Sequence, residues 1–173
     1  MKNTLILLLI LLTSVLHISC NETDSISGIN RGVELYEIEE YETINNTDQI
    51  DESTVKAKDS PLLNYEDLIS YNSKVYKFEI SEQAEQLLEN IQDLSGAFAI
   101  KVDNELIYTG YFVPGYSSRL YAWNIIDPIM SSFSGECFVR RISFQGGSQP
   151  SYGDKRNDPR ILDAFRTAGK LIE

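Results

Sequence analysis

Few residues in this 173-residue chain can do chemistry by themselves. There is one histidine, His17, and there are two cysteines, Cys20 and Cys137. His17 and Cys20 both fall in or beside an N-terminal apolar run. With that run removed, no imidazole remains and Cys137 is the one internal thiol. That excludes Ser-His-Asp and Cys-His catalysis and Cys/His zinc sites. Ser131-Ser132-Phe133-Ser134-Gly135 lacks the Gly-x-Ser-x-Gly pattern of a nucleophile elbow. Cys137 lies in an apolar stretch and reads as a small buried hydrophobe.

Three other residue groups carry possible chemistry. Six of the aromatic residues, Tyr108, Tyr111, Phe112, Tyr116, Tyr121 and Trp123, fall within one short stretch. Alternating rings of this kind pair across strands in a core. Rings displayed on a loop instead stack on sugars or anchor a partner protein. Tyr116, Tyr121 and Trp123 lie where no period is visible, so they are the binding candidates. Arg140, Arg141, Lys155, Arg156 and Arg160 concentrate positive charge, and Arg156 and Arg160 are candidates for holding a phosphate or carboxylate. Asp154, Asp158 and Asp163 lie among them, so mutual ion pairing in a turn is the simpler account. Asp103, Glu105 and Asp127 are the carboxylates available to a sugar hydrolase, but nothing in the spacing pairs them. Asn45-Asn46-Thr47-Asp48 has calcium-type donors without EF-hand spacing. No catalytic residue, metal ligand or cofactor site is assigned.

These groups must be positioned by elements read from hydrophobic period. Tyr76, Phe78 and Ile80 alternate with Lys77 and Glu79 as a strand. Ser81 then caps a helix whose apolar stripe is Ala84, Leu87, Leu88, Ile91 and Leu94, ended by Ser95-Gly96. Phe98, Ile100 and Val102 form a second strand, and Asp103-Asn104 a tight turn. A third strand follows, with Leu106, Tyr108 and Phe112 on one side and Ile107, Thr109 and Tyr111 on the other. Gly110 inside it marks a bulge or a close backbone approach. Pro114 to Ser118 is loop, and Trp123 to Ile126 a short strand. Cys137 to Phe144 reads as one strand with Phe138, Ile142 and Phe144 on one face. Asp158-Pro159 opens a last helix with Ile161, Leu162, Phe165 and Ala168 inward, stopped by Gly169. Asn64 or Asp67 caps a short helix through Leu68-Ile69. The expected fold is α+β, a mostly antiparallel sheet of four or five strands with two main helices packed on one face.

The first residues are of another kind. Lys2 precedes Leu5 to Leu12, an apolar core of about 12 residues where a membrane-spanning helix needs roughly 20. A positive start, a short apolar core and small residues at the end read as an export signal. The segment closes Leu16-His17-Ile18-Ser19-Cys20, which resembles a bacterial lipoprotein signal. In that family a small residue precedes a Cys that receives lipid and becomes the mature N-terminus. Ser19 and Cys20 match; His17 stands where the family usually has Leu. The resemblance implies a cleaved signal over 1–19 and a lipid anchor on Cys20, with palmitate among its acyl chains. Two or more such chains hold a protein stably to a membrane. Residues 21–60 carry 11 acidic and 3 basic side chains and no long apolar run. They read as an acidic flexible tether over 20–60, with Val33 to Glu39 able to pair as an edge strand. A single domain over 61–173 follows.

Two further resemblances concern the domain. Phe78-Glu79-Ile80-Ser81, the following helix and Gly96 to Glu105 look like the periplasmic head of the SecD translocation subunit, with Asn104 where that head has Gly. This implies a local fold only, since no transmembrane helices follow. Asp67-Leu68-Ile69-Ser70-Tyr71, Tyr108-Thr109-Gly110-Tyr111-Phe112 with Ser117-Ser118, and Asn157-Asp158-Pro159-Arg160 leading to Gly169-Lys170-Leu171 are similar to a group of small uncharacterised bacterial lipoproteins. That group implies an exported single domain and no activity.

The net charge of −11 argues against nucleic acid as a partner. The expected function is therefore a non-enzymatic, lipid-anchored protein of the bacterial cell envelope, on its periplasmic or surface side. It would bind a protein or glycan partner through the Tyr116–Trp123 loop. The alternatives are a carboxylate-based glycan hydrolase and a purely structural envelope lipoprotein.

Overall fold

The computed structural model describes residues 32–91, 96–143 and 153–173. The export signal, Cys20, Leu94 and Phe144 lie outside these residues. The chain is α+β, as expected, but it builds two sheets. Ten strands run in the order β1 (Val33–Glu40), β2 (Lys56–Ala57), β3 (Leu68–Asn72), β4 (Lys77–Ile80), β5 (Ala97–Val102), β6 (Glu105–Phe112), β7 (Asn124–Ile126), β8 (Glu136–Phe138), β9 (Arg140–Arg141) and β10 (Leu171–Ile172). Three α-helices are present among the described residues: α1 (Glu82–Glu89), α2 (Pro128–Ser134) and α3 (Pro159–Thr167). One sheet has the order β2-β1-β5-β6-β7-β9 and the other β10-β3-β4-β8. Only the β6/β7 and β3/β10 pairings are parallel among these strands.

The expected tether is corrected from residue 33 onward. β1 pairs with β5 in continuous register from Val33↔Val102 to Ile38↔Ala97. Val33 and Leu35 are buried in the core between the sheets, while Tyr36 and Ile38 face a second core. Three of the acidic side chains, Glu37, Glu39 and Glu40, meet lysines brought from elsewhere, and Glu34 accepts from the Tyr36 hydroxyl of its own strand. Glu37 meets Lys58 at 2.6 Å, Glu40 meets Lys56 at 3.0 Å, and Lys101 stands 4.2 Å from the centre of the Tyr36 ring. Residues 41–55 then fold back over the outer face of the larger sheet, burying Ile50 completely and packing Val55 on the second core. That sheet is covered on both faces, which is why β1 reads as apolar on both parities where burial counts.

Local signals built the rest. Ser81 accepts from the Ala84 N–H at 3.1 Å and so caps α1. Ala84 and Leu88 of α1, and Ile161 and Phe165 of α3, enter the same core. Asp158 caps α3 with Pro159 at its first position, and Gly169 lies at φ +69° just after it. Asp103 and Asn104 both take positive φ, giving the tight β5–β6 hairpin. In β6 the register slips by one residue opposite Ile100/Lys101. This bulge puts Ile107 and Tyr108 together in the inner core and leaves Leu106 on the other face, against the strict alternation read from sequence. At Gly110 a Cβ would come within 2.4 Å of the Phe98 ring and 2.6 Å of the Asn124 carbonyl oxygen, so the close approach is real. Tyr65–Asp67 forms a single 3-10 turn, with Asn64 and Asp67 capping each other, before Leu68 and Ile69 enter β3.

The run from Cys137 is two strands in two sheets. β8 pairs with β4, and β9 pairs with β7, with the chain crossing between them at Val139. Cys137 and Val139 point into the core, which turns Phe138 outward.

Candidate functional site

The aromatic loop separates into three different environments. Trp123 is 3 % exposed; its Nε1–H donates to Thr109 Oγ1 at 3.1 Å and Arg141 covers one ring face at 5.2 Å. Its role in binding is corrected to a core role. It sits at the entrance to β7, and the parity of that strand sends it into the second core. Tyr121 is half-buried and stacks on Tyr111 with ring centroids 4.0 Å apart and planes 12° from parallel. Arg119 donates to its hydroxyl at 3.0 Å and lies 5.9 Å from the ring centre, so both faces are in use. Tyr116 alone of the three is displayed, 75 % exposed.

The basic cluster resolves into ion pairs. Arg156 grips Asp154 through Nε at 3.0 Å and Nη2 at 2.6 Å, donates to the Val139 carbonyl at 2.9 Å, and lies 3.7 Å over the Tyr76 ring. The backbone carbonyl of Arg156 accepts from the buried Tyr71 hydroxyl at 2.9 Å. Arg156 is thus a clamp between the last loop and the smaller sheet. Arg160 joins Asp158 at 2.8 Å and Glu105 at 3.0 Å. Lys155 meets Glu52 at 2.7 Å. Hydrogen bonds from Arg156 and Arg160 hold the Asp154 and Asp158 carboxyls below the ordinary carboxylate range. Neither Arg156 nor Arg160 is left to hold an anion.

The carboxylates fall into two clefts. Asp103, Glu105 and Asp163 line a cleft of about 460 Å³ between the β5–β6 turn and α3, together with Arg160, which neutralises Glu105. All three are exposed to solvent. Asp127 lies elsewhere, as the N-cap of α2. Asn45 and Asn46 take positive φ in a turn, and Asp48 accepts from the Ala122 N–H at 2.7 Å. Among the described residues no three His, Cys, Asp or Glu side chains converge as metal ligands. Cys137 is 1 % exposed and burial pushes its thiol up to about 12, so it is inert as a nucleophile.

The second cleft, about 540 Å³, is the one with the features of a binding site. It is lined by Gly115, Asp127, Met130, Ser131, Glu136, Phe138 and Arg140, among others. Asp127 caps α2 by accepting from the Met130 N–H at 3.1 Å, Pro128 opens that helix, and Gly135 at φ +66° ends it. This is the same Asp-Pro … Gly signature that announces α3, so α2 was legible and its outer residues could have been found. Met130 is 59 % exposed, Phe133 79 % and Phe138 39 %. Met130 and Phe138 line the cleft itself; Phe133 is exposed on the same helix outside that lining, and Tyr116 is exposed next to Gly115. Glu136 is paired with Lys77. Arg140 has no ion pair among the described residues. No helix among the described residues is long and apolar enough to cross a membrane. Comparison with family models, with curated proteins and with solved structures gives no match to this chain.

Proposed function

We propose that this protein is held to a membrane of the bacterial cell envelope by lipid on Cys20 and acts without catalysis, by binding a partner protein. The binding face is the cleft beside α2, with Met130 and Phe138 as anchors in it and the exposed Phe133 and Tyr116 extending the face outside its lining. This replaces the Tyr116–Trp123 loop, from which only Tyr116 is retained. The observation that carries the reading is the exposure of Met130 and Phe138 in the lining of one cleft, with Phe133 exposed on the same helix. Exposed Phe and Met are costly unless something covers them, and such residues dominate binding at protein interfaces. The non-catalytic part rests on the chemistry of the side chains. The chain past the signal has no imidazole, and its thiol is buried.

The anchor also sets geometry. Twelve residues separate Cys20 from Val33, where β1 begins. Fully extended they reach at most about 40 to 45 Å, so the domain stays close to the bilayer. Two experiments test the reading. Labelled palmitate is incorporated by the full chain and not by Cys20→Ala; equal incorporation refutes the anchor. A photo-reactive residue placed at 133 in cells gives one discrete adduct, and the same residue at exposed position 39 on β1, on the far side of the larger sheet from β9, gives none. Equal adducts at the two positions refute the binding face.

A further inference from the structure

The proposed face contains more than apolar anchors: its cleft is also lined by Asp127 and by an exposed Arg140 that has no ion pair among the described residues. Asp127 is 6 % exposed. Its Oδ1 caps α2, whereas no donor among the described residues reaches its Oδ2. That oxygen lies on the Gly115 side of the cleft, where a Cβ would come within 2.9 Å of it. Glycine at 115 therefore keeps the approach to Oδ2 open. Asp127 as a residue is more than nine-tenths buried, and the Oδ2 it leaves toward the cleft accepts from no donor among the described residues, so it is open to a donor from a ligand. In the same cleft Arg140 carries five N–H donors and no ion pair among the described residues. Asp127 and Arg140 do not satisfy each other, since they are not within ion-pair distance. Met130 and Phe138 line the same cleft.

We infer that this cleft reads a short apolar peptide segment bearing a carboxylate. Its main-chain N–H donates to Asp127 Oδ2, an apolar side chain packs against Met130 and Phe138, and its carboxylate accepts from Arg140. The inference rests on the proposed binding face and names the chemistry that occupies it. Charge complementarity selects this occupant. A neutral sugar supplies donors for Asp127 but leaves Arg140 unsatisfied. A second copy brings a net charge of −11 against the same net charge, which opposes self-association. A peptide with an acid beside an apolar side chain satisfies all three features at once, and a charge-assisted bond to a guanidinium is among the stronger polar contacts.

The minimal probe is N-acetyl-phenylalanine, which holds one amide N–H, one ring and one carboxylate. Its carboxamide differs only in lacking the charge. Binding to the full chain in lipid nanodiscs is followed by ligand-observed NMR. The expected affinity for the acid is millimolar, the range for a fragment of this size. The carboxamide binds about tenfold more weakly, the worth of a charge-assisted hydrogen bond. Arg140→Gln removes that difference by weakening the acid alone. Asp127→Asn keeps an oxygen for the cap and places an amide N–H where Oδ2 stood, so it weakens both probes; an unchanged melting temperature shows that the fold is intact. Equal binding of acid and carboxamide to the unaltered chain overturns the inference. So does indifference to Arg140→Gln, displacement by N-acetylglucosamine, or an affinity that falls as protein concentration rises because a second copy fills the cleft. The fragment test needs no partner. Its failure leaves the cross-link from position 133 standing, and loss of that cross-link leaves the fragment result standing.

Discussion

Leu35→Ala separates a structural β1 from an acidic tether most cleanly. Leu35 is 2 % exposed, in the core between the sheets. Its backbone is pinned on both sides, since its N–H donates to the Leu63 carbonyl at 3.0 Å and its carbonyl accepts from the Leu62 N–H at 2.8 Å. The strand cannot shift to fill the space left by a truncated side chain. Leu→Ala changes in cores cost about 2 to 5 kcal/mol, and a pinned site belongs in the middle of that range, near 3 kcal/mol. For a domain of this size that is a fall of about 10 °C in Tm. The assay is thermal unfolding by circular dichroism, with urea unfolding to confirm that the slope is unchanged. Glu39→Ala, at the exposed end of the same strand, removes only a solvated pair with Lys56 at 3.2 Å and stays within about 0.5 kcal/mol of the parent. If Leu35→Ala also stays within that margin, β1 is not part of the core and the reasoning fails.

Two further outcomes follow from the same structure. Cys137 resists alkylation in the folded chain at about pH 8 and reacts once guanidinium unfolds it, because burial withholds the thiolate; rapid reaction of the native protein would contradict its place in the core. Asp154 and Asp158 have lowered folded-state values, so their stabilising contribution is present above the ordinary carboxylate range and disappears as pH falls through the folded values. Asp154→Asn therefore destabilises at neutral pH, and the gap from the parent closes as pH falls below the ordinary carboxylate range in urea titrations; a gap independent of pH would break the assigned Arg156 pairing.

What the sequence disclosed was local. Ser81 before α1, Asp103-Asn104 at the hairpin, and Asp158-Pro159 with Gly169 around α3 each act through their own neighbours, so their types and spacing suffice. β1 was obscured because its stability is not local. Glu37 and Glu40 look like the charges of a solvated chain until Lys56 of β2 and Lys58 just after it arrive, and Val33 and Leu35 face a core supplied by residues far along the chain. Trp123 was misplaced because β7 has only three residues, too few to show a period, and its burial depends on β6 and β9 on either side. Phe138 was turned the wrong way because one apolar run serves two sheets, with the crossing at Val139 fixing which parity faces inward. The α2 face was different: Asp127-Pro128 and Gly135 stood in the sequence with the same meaning as their counterparts at α3.

We propose that the concavity beside α2 is where another protein docks. The most direct measurement of this is photo-cross-linking from residue 133 in living cells, with and without Arg140→Glu in the same chain. The account predicts one discrete adduct from the parent and its disappearance when position 140 turns acidic, with the folded protein present at equal level. An adduct of equal yield in both would show that the partner is held somewhere else.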